Sequence, residues 1–145
     1  MFYLDHAAEI GASCDGRRKG EPFSANYSPS LYAKIPGPVS ILESFTKPDL
    51  VDAMNGGPLT LEFSSSMFVD EESIRKIALF VKAFVTKGGH QLQCNSVNLS
   101  DLKQAQITPE RYRHQIGRIW GWSAYFIELD QEFQNHVIAR QEYSI

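Results

Sequence analysis

The stretch Arg118-Ile119-Trp120-Gly121-Trp122-Ser123-Ala124-Tyr125-Phe126 decides how the chain is read. Apolar and β-prone residues over 116–120 and again over 124–129 predict two short strands, with Gly121-Trp122-Ser123 as the bend of a two-strand tip. A glycine between two tryptophans marks either a turn that needs positive φ or a place where large rings leave no room for a Cβ. Spacing alone does not choose between those structural uses and a chemical one.

Toward the C-terminus, Asp130 is placed to cap a closing helix striped by Phe133, Val137 and Ile138. Toward the N-terminus, Thr108-Pro109-Glu110 opens a brief helical turn, Asn98 caps a short helix running to Gln106, and 91–97 reads as a strand. The clearest helix has Asp70 as N-cap, Glu71 and Glu72 complementing its dipole, and Gly88 as its stop. Its Ile74, Ile77, Ala78, Val81, Phe84 and Val85 follow helical spacing and are expected to form one buried face. Before it, Leu59, Leu61 and Phe63 alternate with Thr60 and Glu62 as a strand entered from the Asn55-Gly56-Gly57-Pro58 turn. Residues 39–45 suit a short helix ending before Pro48.

The N-terminal third is less regular. Gly16, Gly20, Pro22, Pro29, Pro36 and Gly37 punctuate residues 11–37, which predicts a long loop of functional or packing use. Met1-Phe2-Tyr3-Leu4 is apolar and β-prone, and reads as a strand whose Phe2, Tyr3 and Leu4 present an unpaired edge. No internal repeat is visible.

Composition removes several function classes. With 14 basic and 17 acidic residues and a net charge of −3, the chain lacks the field that holds a nucleic-acid backbone. The longest apolar run, Ile77 to Val81, is far short of the roughly 20 residues of a membrane span. Asp5 and Glu9 stand where a secretory signal has a basic stretch and an apolar core, so a cytoplasmic location is expected. The sequons Asn26-Tyr27-Ser28 and Asn98-Leu99-Ser100 are then expected to go unused. Cys14 and Cys94 form no C-x-x-C pair and read as free thiols; His6, His90, His114 and His136 show no metal-ligand spacing. Asp15-Gly16-Arg17-Arg18-Lys19-Gly20 has the cations of an anion cradle but is read as a solvated turn.

The wording of the whole chain resembles the C-terminal part of the glycyl radical enzymes, the pyruvate formate-lyase superfamily. The resemblance starts at Gly11-Ala12-Ser13-Cys14-Asp15-Gly16-Arg17-Arg18-Lys19-Gly20-Glu21-Pro22 and continues through Asn55-Gly56-Gly57-Pro58-Leu59-Thr60 and the helix after Glu71. It goes on through Gly88-Gly89-His90-Gln91-Leu92-Gln93, the 95–98 strand end and Pro109-Glu110-Arg111-Tyr112, and closes on the motif around Gly121. Three positions depart from the family's habit. Cys14 stands where proline is usual, Gly117 where a β-branched residue is usual, and Ala124 where close relatives often have glycine.

The resemblance implies an α/β fold, the C-terminal part of a ten-stranded β/α barrel with the radical loop on a hairpin tip. It divides the chain into 1–60, a barrel-completing strand and long loop segment, and 61–145, the glycyl radical domain. Gly121 is implied as the radical carbon, with Arg118, Trp120, Trp122, Ser123 and Tyr125 supporting its loop. Trp120, Trp122, Tyr125 and Phe126 are expected to wall the radical off from oxygen and water. No cofactor or metal is expected to be bound; the radical is a post-translational one, installed by a radical-SAM activase with a [4Fe-4S] cluster. The family's thiyl cysteine sits in a Cys-x-Glu loop, whereas Cys14 is followed by Asp15-Gly16 and Cys94 by Asn95-Ser96. The chain is therefore read as the small, radical-bearing subunit of a split glycyl radical enzyme whose large subunit carries that loop. The alternative is an autonomous glycyl radical cofactor that repairs a damaged full-length enzyme. The Trp-Gly-Trp-Ser wording is closer to the eliminase, decarboxylase and C–S lyase branches than to pyruvate formate-lyase.

Overall fold

A computed structural model describes residues 2–119, 121–140 and 142–145; Met1, Trp120 and Gln141 lie outside the described residues. In chain order its elements are α1 (Phe2–Asp5), α2 (Pro38–Phe45), β1 (Pro58–Ser64), α3 (Glu71–Thr86) and β2 (Gln91–Val97). They are followed by α4 (Leu99–Ile107), β3 (Ile116–Arg118), β4 (Ser123–Tyr125), α5 (Gln131–Ala139) and β5 (Glu142–Tyr143). The fold is α/β. β1 is the centre of a parallel sheet ordered β2-β1-β5, and β3 and β4 form a separate antiparallel hairpin.

The register of β1 against β2 sets the two faces of the sheet. Leu61 lies beside Cys94 on one, and Glu62 beside Asn95 on the other. Leu59, Leu61 and Phe63 join Phe80 and Phe84 of α3 and Ile41, Leu42 and Phe45 of α2 in one hydrophobic cluster. Thr60 and Glu62, expected to alternate outward, are also buried. The Ser28 hydroxyl donates to the Thr60 carbonyl at 2.7 Å, and Arg140 covers Glu62. β1 also runs across residue 60, so the first cluster draws residues from both sides of the expected division.

α3 begins and ends where local chemistry places it. The Asp70 carboxylate accepts from the Ser73 N–H at 2.9 Å, and these hydrogen bonds hold its carboxyl below the ordinary value. At the other end the Gly88 N–H reaches the Val85 carbonyl and the Gly89 N–H the Phe84 carbonyl, with Gly88 at φ +80. Its buried face differs from the expected one. Phe80 and Phe84 are inserted and Ile77 is half-buried, while Ile74, Val81 and Val85 stay exposed. The line of contact with the sheet is rotated about the helix axis, because the large rings fill the space over Phe63 and Phe45.

Three further expectations are corrected. Residues 2–5 form a turn of helix rather than a strand, and Tyr3 and Leu4 are buried in a second cluster with Leu102, Ile119, Phe126 and Val137. Tertiary burial overrides β-propensity here, and these two side chains present no open edge. The hairpin strands are shorter than 116–120 and 124–129. The chain leaves β4 in a 3₁₀ turn that drops Phe126, fully buried, into the second cluster. The basic turn is solvated, as expected, at Asp15, Gly16, Arg18, Lys19 and Gly20, but not at Arg17. That buried guanidinium donates to the carbonyls of Gly11, Arg18 and Glu21 and lies 4.5 Å from the centre of the Phe23 ring. β5, which sequence reading missed, pairs Glu142 and Tyr143 with Glu62 and Phe63.

Candidate functional site

The β3–β4 hairpin carries the site. Its ladder pairs Ile116 with Tyr125, Gly117 with Ala124 and Arg118 with Ser123. Beyond the ladder the Ile119 N–H donates to the Trp122 carbonyl at 3.1 Å, which closes the loop around Gly121. Gly121 has φ +73, a conformation L side chains rarely adopt. Among the described residues, and apart from its two chain neighbours, no atom lies within 4 Å of where its Cβ would stand. The glycine is required by the turn, not by crowding.

The aromatic wall is not built as expected. Trp122 is 41% and Tyr125 49% exposed, and Phe126 packs beneath the hairpin in the core rather than around the loop. Trp120 lies outside the described residues. Gly121 itself is exposed and borders an open cleft of about 500 Å³ lined by Asn26, Tyr27, Asn55, Gln91, Gln93 and Arg118. Neither cysteine lines that cleft. Cys14 is exposed in the N-terminal loop, and Cys94 is half-buried on β2, where burial raises its thiol pKa.

Arg118 and Ser123 are bonded to each other at the base of the loop. The Arg118 guanidinium donates to Ser123 Oγ at 3.1 Å and to Gln93 Oε1 at 3.3 Å. Sequence reading missed the group behind them. The Arg140 guanidinium donates to Glu62 Oε1 at 2.8 Å, to the Arg118 carbonyl at 3.0 Å and to the Ile119 carbonyl at 3.4 Å. Asn95 Nδ2 donates to the same Glu62 oxygen at 3.0 Å. The available signal was the polar residues at alternate positions of β1 and β2, Thr60 and Glu62 beside Gln93 and Asn95. Beside Arg140 lies His136, 4% exposed; its burial and the Arg140 charge lower its pKa to about 4. Among the described residues, no group of three His, Cys, Asp or Glu side chains is arranged to hold a metal ion, and no helix is long and apolar enough to cross a membrane.

Comparison with known proteins gives one answer. The family model described as "Glycine radical" matches residues 23–127. The chain is 33% identical over 135 residues to (2S)-3-sulfopropanediol dehydratase of Klebsiella oxytoca, covering 90% of this chain and 16% of that protein. It is also 33% identical over 138 residues to isethionate sulfite-lyase of Desulfovibrio desulfuricans, covering 94% and 17%. Among solved structures, the B12-independent glycerol dehydratase from Clostridium butyricum superposes with a TM-score of 0.93 at 30% identity, over 99% of this chain and 18% of that one. The chain thus spans about a sixth of the length of the curated relatives it matches. Fold, hairpin and motif together place it: the chain belongs to the glycyl radical enzyme family and corresponds to the C-terminal part of that fold.

Proposed function

We propose that Gly121 stores a glycyl radical, and that this chain is the radical-bearing small subunit of a two-component, cytoplasmic glycyl radical lyase. The observation that carries the reading is the open tip: a positive-φ glycine on a hairpin, with space left by the described residues beyond its chain neighbours where a side chain would stand. A Cα radical is stabilised when the centre is planar and conjugated with both flanking amides, and glycine alone has no side chain to resist that planarity. Left open, such a centre meets water and oxygen. A second body must close over it, and the half-exposed Trp122 and Tyr125 offer that body an aromatic rim.

Relatives about six times longer supply the size of that body: a large subunit with the rest of the barrel, the substrate pocket and the Cys-x-Glu loop. In this reading residues 1–60 furnish one side of the cleft through Asn26, Tyr27 and Asn55, and 61–145 carry the radical hairpin. Arg118, Trp120, Trp122, Ser123 and Tyr125 support the loop. A radical-SAM activase, whose [4Fe-4S] cluster would supply the one-electron chemistry, would take one hydrogen atom from Gly121 Cα. The large subunit's thiol then returns a hydrogen atom to that carbon and becomes a thiyl, which takes one from substrate. The names of the relatives, which include dehydratases, sulfite-lyases and decarboxylases, suit C–C, C–O or C–S cleavage of a small polar molecule.

The test is to express the chain with its large partner and activase under anaerobic conditions and record an EPR spectrum. The one α-hydrogen left on the radical carbon splits the expected signal into a doublet. Gly121→Ala is expected to remove both doublet and turnover while the complex still assembles. A silent wild-type complex, or a Gly121→Ala complex that turns over normally, rejects the reading. The two hydrophobic clusters closed within this chain also suit a spare part that docks on an oxygen-damaged full-length enzyme. Restoration of activity to such an enzyme by the small chain alone would select that role.

A further inference from the structure

Resting on that reading of Gly121, we infer that Arg140, held by Glu62, is a positioning residue that fixes the radical loop to the sheet through a closed circuit of hydrogen bonds. The circuit runs from Arg140 Nη1 to Glu62 Oε1 at 2.8 Å, and the same oxygen accepts from Asn95 Nδ2 at 3.0 Å. Asn95 Oδ1 accepts from Gln93 Nε2 at 3.0 Å, and Gln93 Oε1 accepts from Arg118 Nε at 3.3 Å. It closes where the Arg118 carbonyl accepts from Arg140 Nη1 at 3.0 Å.

Each amide in this circuit donates through nitrogen and accepts through oxygen, so the bonds run one way from Arg140 through Arg118, Gln93 and Asn95 to the Glu62 carboxylate, which also accepts directly from Arg140. Arg118 is thus held twice, by its side chain and by its carbonyl. The next carbonyl, Ile119, is held by the other arm of the Arg140 fork at 3.4 Å. A planar fork can serve Glu62 and two successive carbonyls together, which an ammonium cannot.

The arrangement does more than stabilise a core. A buried ion pair contributes little that an apolar pair of equal volume would not, and Arg140 and Glu62 are 8% and 5% exposed. Here the pair directs its remaining donors at the backbone leading into Gly121. The hairpin itself has only three residues in each strand, too few to hold the tip unaided. Strand register places Glu62, Asn95 and Gln93 on the face from which the loop is reached. The tip therefore inherits its geometry from the sheet.

Two variants test this in the assembled, activase-treated complex. Arg140→Lys keeps the charge and loses the fork. Gln93→Leu opens the circuit without leaving a buried charge unpaired. Both are expected to lower radical per chain about fivefold or more and to change the doublet splitting, while the thermal midpoint of Gln93→Leu stays near wild type. Lys87→Ala, which breaks a surface pair with Glu43, serves as control and leaves the spectrum unchanged. In the full chain without partner, the Ile119 amide is expected to exchange its hydrogen about tenfold faster in either variant. Wild-type yield, splitting and amide exchange in both variants overturn the inference and leave the radical reading standing. A silent wild type with faster Ile119 exchange in the variants does the reverse.

Discussion

The Tyr3 ring stands 4.8 Å from the His136 ring, so the first helical turn of the chain is seated against the last helix, with Arg140 beyond it. The His136 imidazole is buried there and its pKa lowered to about 4, by desolvation first and the Arg140 charge second. In the unfolded chain the group titrates near 6.5. Between those values the unfolded state binds a proton that the folded state refuses. Stability from this group is thus full above pH 6.5 and falls as the pH drops toward 4, by roughly 3 kcal/mol in all. Urea midpoints measured across that window should fall less steeply in His136→Gln than in wild type. Equal slopes would mean that His136 does not titrate this way.

Gly117 lies in β3 opposite Ala124. A Cβ built there meets Leu129 Cδ1 at 3.5 Å and Phe126 Cδ2 at 3.8 Å, ordinary contact distances. Gly117→Ala should therefore raise stability by about 0.5–1 kcal/mol, through lost freedom of the unfolded chain and added apolar contact. Thermal unfolding checks it, and a lower midpoint would show that the strand needs the bare backbone.

What was legible in the sequence was mostly what local chemistry decides. The Asp70 cap, the Gly88 stop and the Asn98 cap, whose Oδ1 accepts from the Ser100 N–H at 3.0 Å, depend on a few neighbouring residues. The glycine at the tip was legible too, because its motif is continuous. What failed depended on distant partners. Tyr3 and Leu4 gave up their strand preference to a core assembled from Leu102, Ile119, Phe126 and Val137. Glu62 and Arg140 stand 78 residues apart, and no local period links an acidic residue in one strand to a cation after the last helix. The aromatic wall failed for a third reason: rings near a glycine in sequence can point into the core, as Phe126 does, or outward, as Trp122 and Tyr125 do.

Arg17 holds the long N-terminal loop together by offering its fork to the carbonyls of Gly11, Arg18 and Glu21. Arg17→Met fills similar space but removes the donors and the cation above Phe23. The loss should be about 2 kcal/mol, and Arg17→Lys should recover less than half because one ammonium cannot span the three acceptors. Chemical denaturation of the three proteins decides this. Full recovery by lysine would reduce the role of Arg17 to its charge.

The rotated face of α3 gives the last prediction. Phe84 is 3% exposed and its ring stacks on Phe45 with centroids 5.5 Å apart, whereas Val85, its neighbour, is 67% exposed. Sequence periodicity treats the two alike. The structure assigns Phe84→Ala a cost of about 3–5 kcal/mol, from lost burial plus the cavity left between α3, α2 and β1. Val85→Lys should change the stability of the chain by less than about 0.5 kcal/mol, since its methyls already meet water. The same substitution serves as a probe of assembly: a Val85→Lys chain that folds normally but no longer binds the large subunit would locate α3 at the interface, and one that binds normally would place the contact elsewhere.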